Sequence, residues 1–113
     1  MNPSDGDDFD FEARLAALTR DYVRALPDKR AELARLWHAC RADAAAPEWG
    51  ALRQLVHRLS GAAPNYGFEA LGEAARALDA LLSGASPCRD PLRLAPALAA
   101  CIVALDAAIG GAS

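Results

Sequence analysis

Apolar residues recur every three or four positions through most of this 113-residue chain, and this spacing constrains the fold more than any other feature. Such a period predicts amphipathic helices. The chain is also rich in Ala, Leu and Arg and poor in Val, Ile and Thr, which favours helix over sheet. The periodic stretches lie at about residues 10–26, 28–42, 48–66, 68–82 and 91–110. We therefore predict an all-α fold, an up-down four-helix bundle with an additional N-terminal helix.

The length allows one domain with a single hydrophobic core. We predict a flexible N-terminus over residues 1–9, the helical bundle over residues 10–110 and a C-terminal tail over residues 111–113. Pro27 should separate the first two helices, because a proline disfavours the helical conformation of the residue before it. Pro64 should either kink the third helix or end it about one turn early.

The formal net charge of −3 gives no basic surface for nucleic acid or for an anionic membrane. No apolar run approaches the roughly 20 residues that span a bilayer, and Met1 to Asp10 are too acidic and polar for a secretory signal peptide. We therefore expect a cytoplasmic monomer without nucleic acid partners or membrane insertion. No CxxC pair occurs and neither histidine lies at metal-ligand spacing from a cysteine, so no metal site is predicted.

The stretch Leu55–Gly67 carries the most unusual arrangement of side chains. At about 100° per residue its apolar side chains share one stripe, and His57 falls roughly 150° from the centre of that stripe. Ser60 and Gly61, three and four residues later, are too small to cover the ring. An interior glycine also costs a helix up to about 1 kcal/mol relative to alanine. The sequence therefore predicts an exposed imidazole on a rigid helix.

The neighbours of this histidine narrow its chemistry. Nucleophilic hydrolysis by Ser60 would need an orienting acid, and no carboxylate is obviously placed to complete a triad. Metal binding would need Glu-x-x-His pairs or two histidines one turn apart, but His38 lies on another predicted helix. The sequence contains no glycine-rich phosphate loop after a strand. A lone imidazole can still act as a nucleophile toward a phosphoryl group, because much of it is unprotonated at cytoplasmic pH.

The segment His57–Gly61, with Gly67 ten residues after the histidine and Leu71 beyond, resembles the signature of histidine-containing phosphotransfer (HPt) domains. The likeness covers most of residues 11–110. It implies a four-helix bundle with an extra N-terminal helix, in agreement with the periodicity.

The resemblance implies a place in a two-component phosphorelay. His57 would accept a phosphoryl group from a receiver-domain aspartate and pass it to another receiver domain. The implied partners are response-regulator receiver domains or a hybrid histidine kinase. The chain would have no cofactor, no ATP site and no enzymatic activity, with magnesium bound by the receiver. Gly61 would leave room for the receiver's active site, and Gly67 would end the histidine helix.

The family's usual lysine, three residues after the histidine, is Ser60 here. We predict that the phosphoryl group or the docked partner contacts residues on the exposed face around His57, namely Arg53, Gln54, Arg58, Ser60 and Gly61. Arg53 is the better substitute cation, since it lies one turn before His57 whereas Arg58 lies about 100° round the helix. The alternative function is a bundle of this family that has no phosphotransfer activity and serves as a protein interaction module.

Overall fold

Four α-helices and one short 3-10 helix form the part of the chain that the structure, a computed structural model, describes. It describes the backbone of residues 3–111 and the side chains of residues 10–111. In chain order the elements are α1 (Pro3–Ala42), α2 (Trp49–Ala62), the 3-10 helix (Ala63–Tyr66), α3 (Glu69–Leu82) and α4 (Pro91–Gly111). No strand occurs among these residues, so the all-α prediction is confirmed. The predicted N-terminus and C-terminal tail lie partly outside the described residues.

The first two predicted helices are one continuous helix. α1 passes through Pro27 without a break, so an additional, separate N-terminal helix is not confirmed. An interior proline costs a helix about 3 kcal/mol. Burial on both sides of Pro27 offsets this cost, because Leu26 and Leu33 share one face and are fully buried, each contributing about 1.5–3 kcal/mol. Pro27 itself is exposed.

The N-terminal part of α1 projects past the bundle. Forty residues of α-helix span about 60 Å at 1.5 Å per residue, close to the molecule's longest dimension of 63 Å. Residues 10–25 contain no buried side chain. Phe11, Leu15 and Leu18 are all exposed, and the core begins at Leu26.

The core is formed by the inward faces of all four helices, at positions that helical periodicity assigns to those faces. Among the described residues, no polar or charged side chain is buried in it. Its fully buried members include Leu33, Leu36, Leu52, Val56, Leu59, Leu71, Leu78, Leu94, Cys101 and Leu105. At the surface Arg30 of α1 donates to Asp106 of α4, with 2.6 Å between Nε and Oδ1. That hydrogen bond lowers the pKa of the Asp106 carboxyl.

By length and composition alone, α4 could cross a membrane. The mean hydropathy of its apolar window is 1.9, and 28% of that window is buried within the molecule. The expectation that no apolar run approaches the roughly 20 residues that span a bilayer was wrong. Alanines fill the sequence positions between the larger apolar residues of α4 and make most of the helix apolar. The core helix of a soluble protein meets the same two criteria, and here α4 places Leu94, Leu98 and Leu105 in the core.

Pro64 ends α2 early rather than kinking it. α2 stops at Ala62, and the 3-10 helix that follows is closed by Gly67 at φ 86°. This left-handed conformation favours glycine. The ring of Pro64 packs directly on α3, where a Cβ added to Gly72 would lie 2.5 Å from Pro64 Cγ and 2.9 Å from Cδ. Gly72 therefore allows the two helices to approach closely at this turn.

Replacing Gly72 with alanine should destabilise the fold, because the new methyl group and the Pro64 ring cannot occupy the same space. We expect the free energy of unfolding to fall by about 1–3 kcal/mol in urea denaturation. Gly61→Ala is the matched control, since a Cβ there meets no atom within 4 Å. It should raise stability by up to about 1 kcal/mol through helix propensity. Equal stability of the Gly72→Ala protein and the wild type would contradict the packing argument.

Candidate functional site

His57 lies on the outer face of α2, opposite the side chains that enter the core. Val56 and Leu59 are buried on the inner face, whereas the His57 side chain is 70% exposed. The predicted exposure of the imidazole is therefore confirmed. It follows from the helical phase of the apolar residues around it.

A carboxylate on the neighbouring helix contacts the ring. Nδ1 of His57 lies 2.9 Å from Oδ2 of Asp79 on α3. The Asp79 side chain is only 17% exposed, and its second oxygen accepts a 2.9 Å hydrogen bond from Oγ of Ser83 at the end of α3. Because an ionised carboxylate can only accept, Nδ1 carries the proton in this contact. The lone pair of a neutral ring is then on Nε2.

Sequence reasoning missed Asp79 and Ser83. Asp79 follows His57 by 22 residues, and the helical period of the apolar residues around it predicts only that it faces outward. The available signal was the turn at Gly67, which lies ten residues after His57 and twelve before Asp79. Antiparallel helices joined there bring residues at similar distances from the turn to the same level. The sequence showed no carboxylate obviously placed to complete a triad, but the structure places Asp79 where it can orient the imidazole.

Ser60 does not complete a hydrolytic triad with these two residues. Its Oγ donates a 2.6 Å hydrogen bond to the backbone carbonyl oxygen of His57, whereas a nucleophilic serine must be hydrogen-bonded to the imidazole. Gly61 is exposed, and the space where its side chain would begin is open. The surface beside the ring is therefore flat and accessible.

The other predicted site residues divide between two sides of α2. Arg53 lines a cavity of about 310 Å³ together with Ser83 of the α3–α4 connection. Gln54 and Arg58 line a smaller cavity with Glu32 of α1. The structure thus places Arg53 on the same side of His57 as Asp79 and Ser83, and it places Gln54 and Arg58 toward α1.

The described residues hold no cluster of three or more His, Cys, Asp or Glu side chains that could bind a metal ion. The cysteines are all free. Burial raises the pKa of the Cys101 thiol to about 11 and also raises the pKa of Cys40. Neither buried thiol is thus activated as a nucleophile.

The fold and the site together define a class of protein. It is an all-helical bundle with an exposed histidine in the middle of one helix, hydrogen-bonded to a carboxylate of the next helix. A family model of the Hpt domain matches residues 17–109. The chain therefore belongs to the Hpt domain family, which performs histidine phosphotransfer in phosphorelays, and the resemblance seen in the sequence is confirmed. Neither a curated protein sequence nor a solved structure matches the chain significantly.

Proposed function

We propose that this protein is a phosphorelay intermediate in which His57 accepts a phosphoryl group from a receiver-domain aspartate and passes it to another receiver domain. The observation that carries the proposal is the exposed imidazole whose Nδ1 is hydrogen-bonded to Oδ2 of Asp79 at 2.9 Å. This contact leaves Nε2 as the free nucleophilic nitrogen. Membership of the Hpt family supports the same chemistry.

In the proposed transfer, Nε2 of His57 attacks the phosphorus of an aspartyl phosphate. The new bond joins Nε2 to phosphorus, and the bond from phosphorus to the aspartate oxygen breaks, so that the aspartate leaves as a carboxylate. The proton stays on Nδ1, where Asp79 offsets the positive charge that develops on the ring. The reverse steps deliver the phosphoryl group to the second receiver.

We further propose that the chain has no enzymatic activity of its own. The receiver domain, or a hybrid histidine kinase that carries one, would supply the aspartate and the magnesium ion that neutralises phosphoryl oxygens. A cytoplasmic location is part of the same proposal, and the three free cysteines are consistent with a reducing compartment.

Transfer of radiolabelled phosphate from a phosphorylated receiver domain to this chain tests the proposal. The probe is the receiver that labels the wild-type protein fastest among the receivers of the same genome. We expect label on the chain within minutes and a matching loss from the receiver. Failure of every receiver to transfer its label would overturn the proposal.

Ser60 favours one second candidate, a protein interaction module without phosphotransfer. Serine stands where the family usually has a lysine, and its hydroxyl is bonded to the helix backbone rather than directed at a ligand. A module of this kind would bind receiver domains without becoming labelled. Its affinity for them would not change when His57 is replaced with glutamine.

Gly61→Leu should block transfer without harming the fold. The leucine side chain would occupy the open surface beside the imidazole, where the receiver must approach, and we expect the transfer rate to fall at least about 10-fold. Stability should stay equal or rise by up to about 1 kcal/mol, because leucine is the better helix former. The matched control is Ala77→Leu, an exposed position on α3. Unfolding of the Gly61→Leu protein would contradict the open surface at this residue.

A further inference from the structure

The cavity of about 310 Å³ beside Arg53 opens one helical turn from His57, between α2 and the α3–α4 connection. Two arginines line it, Arg53 from α2 and Arg89 from the connection, together with Ser83 and Trp49. None of the described residues that line the cavity is acidic. The cavity is therefore a cationic recess next to the phosphoacceptor.

The two arginines differ in how firmly the structure holds them. Arg89 donates a 2.9 Å hydrogen bond from Nη1 to the carbonyl oxygen of Ala44. Its guanidinium carbon also lies 5.6 Å from the centre of the Trp49 ring. Arg53 is exposed and makes no ion pair or hydrogen bond with any described side chain. The recess thus combines one pre-positioned cation with one that is available to a partner.

A protein that docks on His57 must cover this recess. A standard interface takes about 800 Å² from each partner, which corresponds to a circular patch of roughly 16 Å radius. Arg53 is four residues from His57, or about 6 Å along the helix axis. Covering an arginine without giving it an acceptor leaves a desolvated charge, which strongly disfavours binding. The partner therefore needs an acceptor over the recess, and an anionic group is the acceptor that also complements two cations with no acidic residue among the described residues of the lining.

This anionic group is distinct from the transferred phosphoryl group. Ser83 lines the recess and donates a hydrogen bond to Asp79. Asp79 in turn is hydrogen-bonded to Nδ1 of His57. The recess therefore lies on the Nδ1 side of the ring, whereas the phosphoryl group binds Nε2. A carboxylate suits the recess, because it can accept paired hydrogen bonds from a guanidinium group.

We propose that this recess is a docking subsite for a carboxylate side chain of the receiver domain that exchanges phosphoryl groups with His57. This inference rests on the proposed function and assigns Arg53 to partner docking rather than to the phosphoryl oxygens. A partner with a basic side chain at this place would be repelled by the two arginines, so the recess also contributes to partner choice.

Two phosphodonors separate docking from chemistry. Phosphoramidate is small and needs no docking surface, whereas the fastest-labelling receiver domain does. We expect Arg53→Gln and Arg89→Gln each to raise the half-saturating concentration of the phosphorylated receiver about 10-fold, with labelling by phosphoramidate unchanged. Arg14→Gln removes the same charge from an exposed position on the projecting part of α1 and should change neither reaction. Arg53→Lys should restore part of the receiver affinity.

Each other result overturns the inference. If the half-saturating concentration of the phosphorylated receiver is the same for the Arg53→Gln protein as for the wild type, no anion of the partner binds there. Slower labelling by phosphoramidate in that variant would assign Arg53 to the chemical step. Competition by millimolar inorganic phosphate that disappears in Arg53→Gln, without any change in receiver affinity, would show a site for small anions only. If neither donor labels the wild-type protein, the proposed function itself fails.

Discussion

His57→Gln will abolish labelling of this protein by a phosphorylated receiver domain. Glutamine keeps a polar side chain of similar length on the exposed face of α2, but its amide nitrogen has no lone pair available for attack on phosphorus. The expected result is a complete loss of label, measured by radiolabel transfer on a gel at equal protein concentrations. Stability should change by no more than about 0.5 kcal/mol, because His57 is a surface residue.

The matched control is His38→Gln. His38 is also exposed, it lies on α1, and it makes no hydrogen bond or ion pair with any described side chain. Label should remain on this variant at the wild-type rate. Persistent labelling of the His57→Gln protein, or loss of label from the His38→Gln protein, would show that a residue other than His57 is the phosphoacceptor.

Asp79→Asn should slow phosphotransfer by at least about 10-fold while leaving His57 in place. Asparagine can donate its amide N–H to Nδ1, which moves the ring proton to Nε2 and removes the nucleophilic lone pair. It also removes the negative charge that offsets the developing charge on the ring. The rate of labelling by phosphoramidate measures the chemical step, and ¹⁵N NMR of the imidazole reports which nitrogen carries the proton.

Two further variants test whether the effect comes from the contact with His57. Ser83→Ala keeps the carboxylate but removes its 2.9 Å hydrogen bond, so the rate should fall less than it does in Asp79→Asn. Glu73→Gln removes a charge from an exposed position on the same helix and should have no effect. A wild-type rate in the Asp79→Asn protein, with the ring proton still on Nδ1, would refute the positioning role of Asp79.

The sequence predicts the local features of this site well, because helical phase is a property of neighbouring residues. The apolar positions around His57 are enough to place its ring in solvent. Gly61 and Gly67 stand out in the sequence as glycines within or next to a predicted helix. In the structure Gly67 takes the left-handed conformation that closes the turn, and Gly61 leaves open space beside the imidazole.

The features that sequence reasoning missed depend on contacts between helices. Asp79 is unremarkable on its own helix and becomes part of the site only when α3 packs against α2. Pro27 carries a strong local preference against the helical conformation, yet burial of Leu26 and Leu33 overrides it. Both features are decided by packing between helices. Helix propensity and the spacing of residues along one helix do not describe that packing.

The contact between Pro64 and Gly72 has a consequence for reactivity as well as for packing. It fixes how far α2 can slide along α3, and the His57–Asp79 hydrogen bond spans the same two helices. A slip of one helical turn, about 5.4 Å along the axis, would carry Nδ1 out of reach of the carboxylate. The turn that joins the helices therefore sets the alignment of His57 with Asp79. Substitutions in the turn would lower the reactivity of His57 without contacting it.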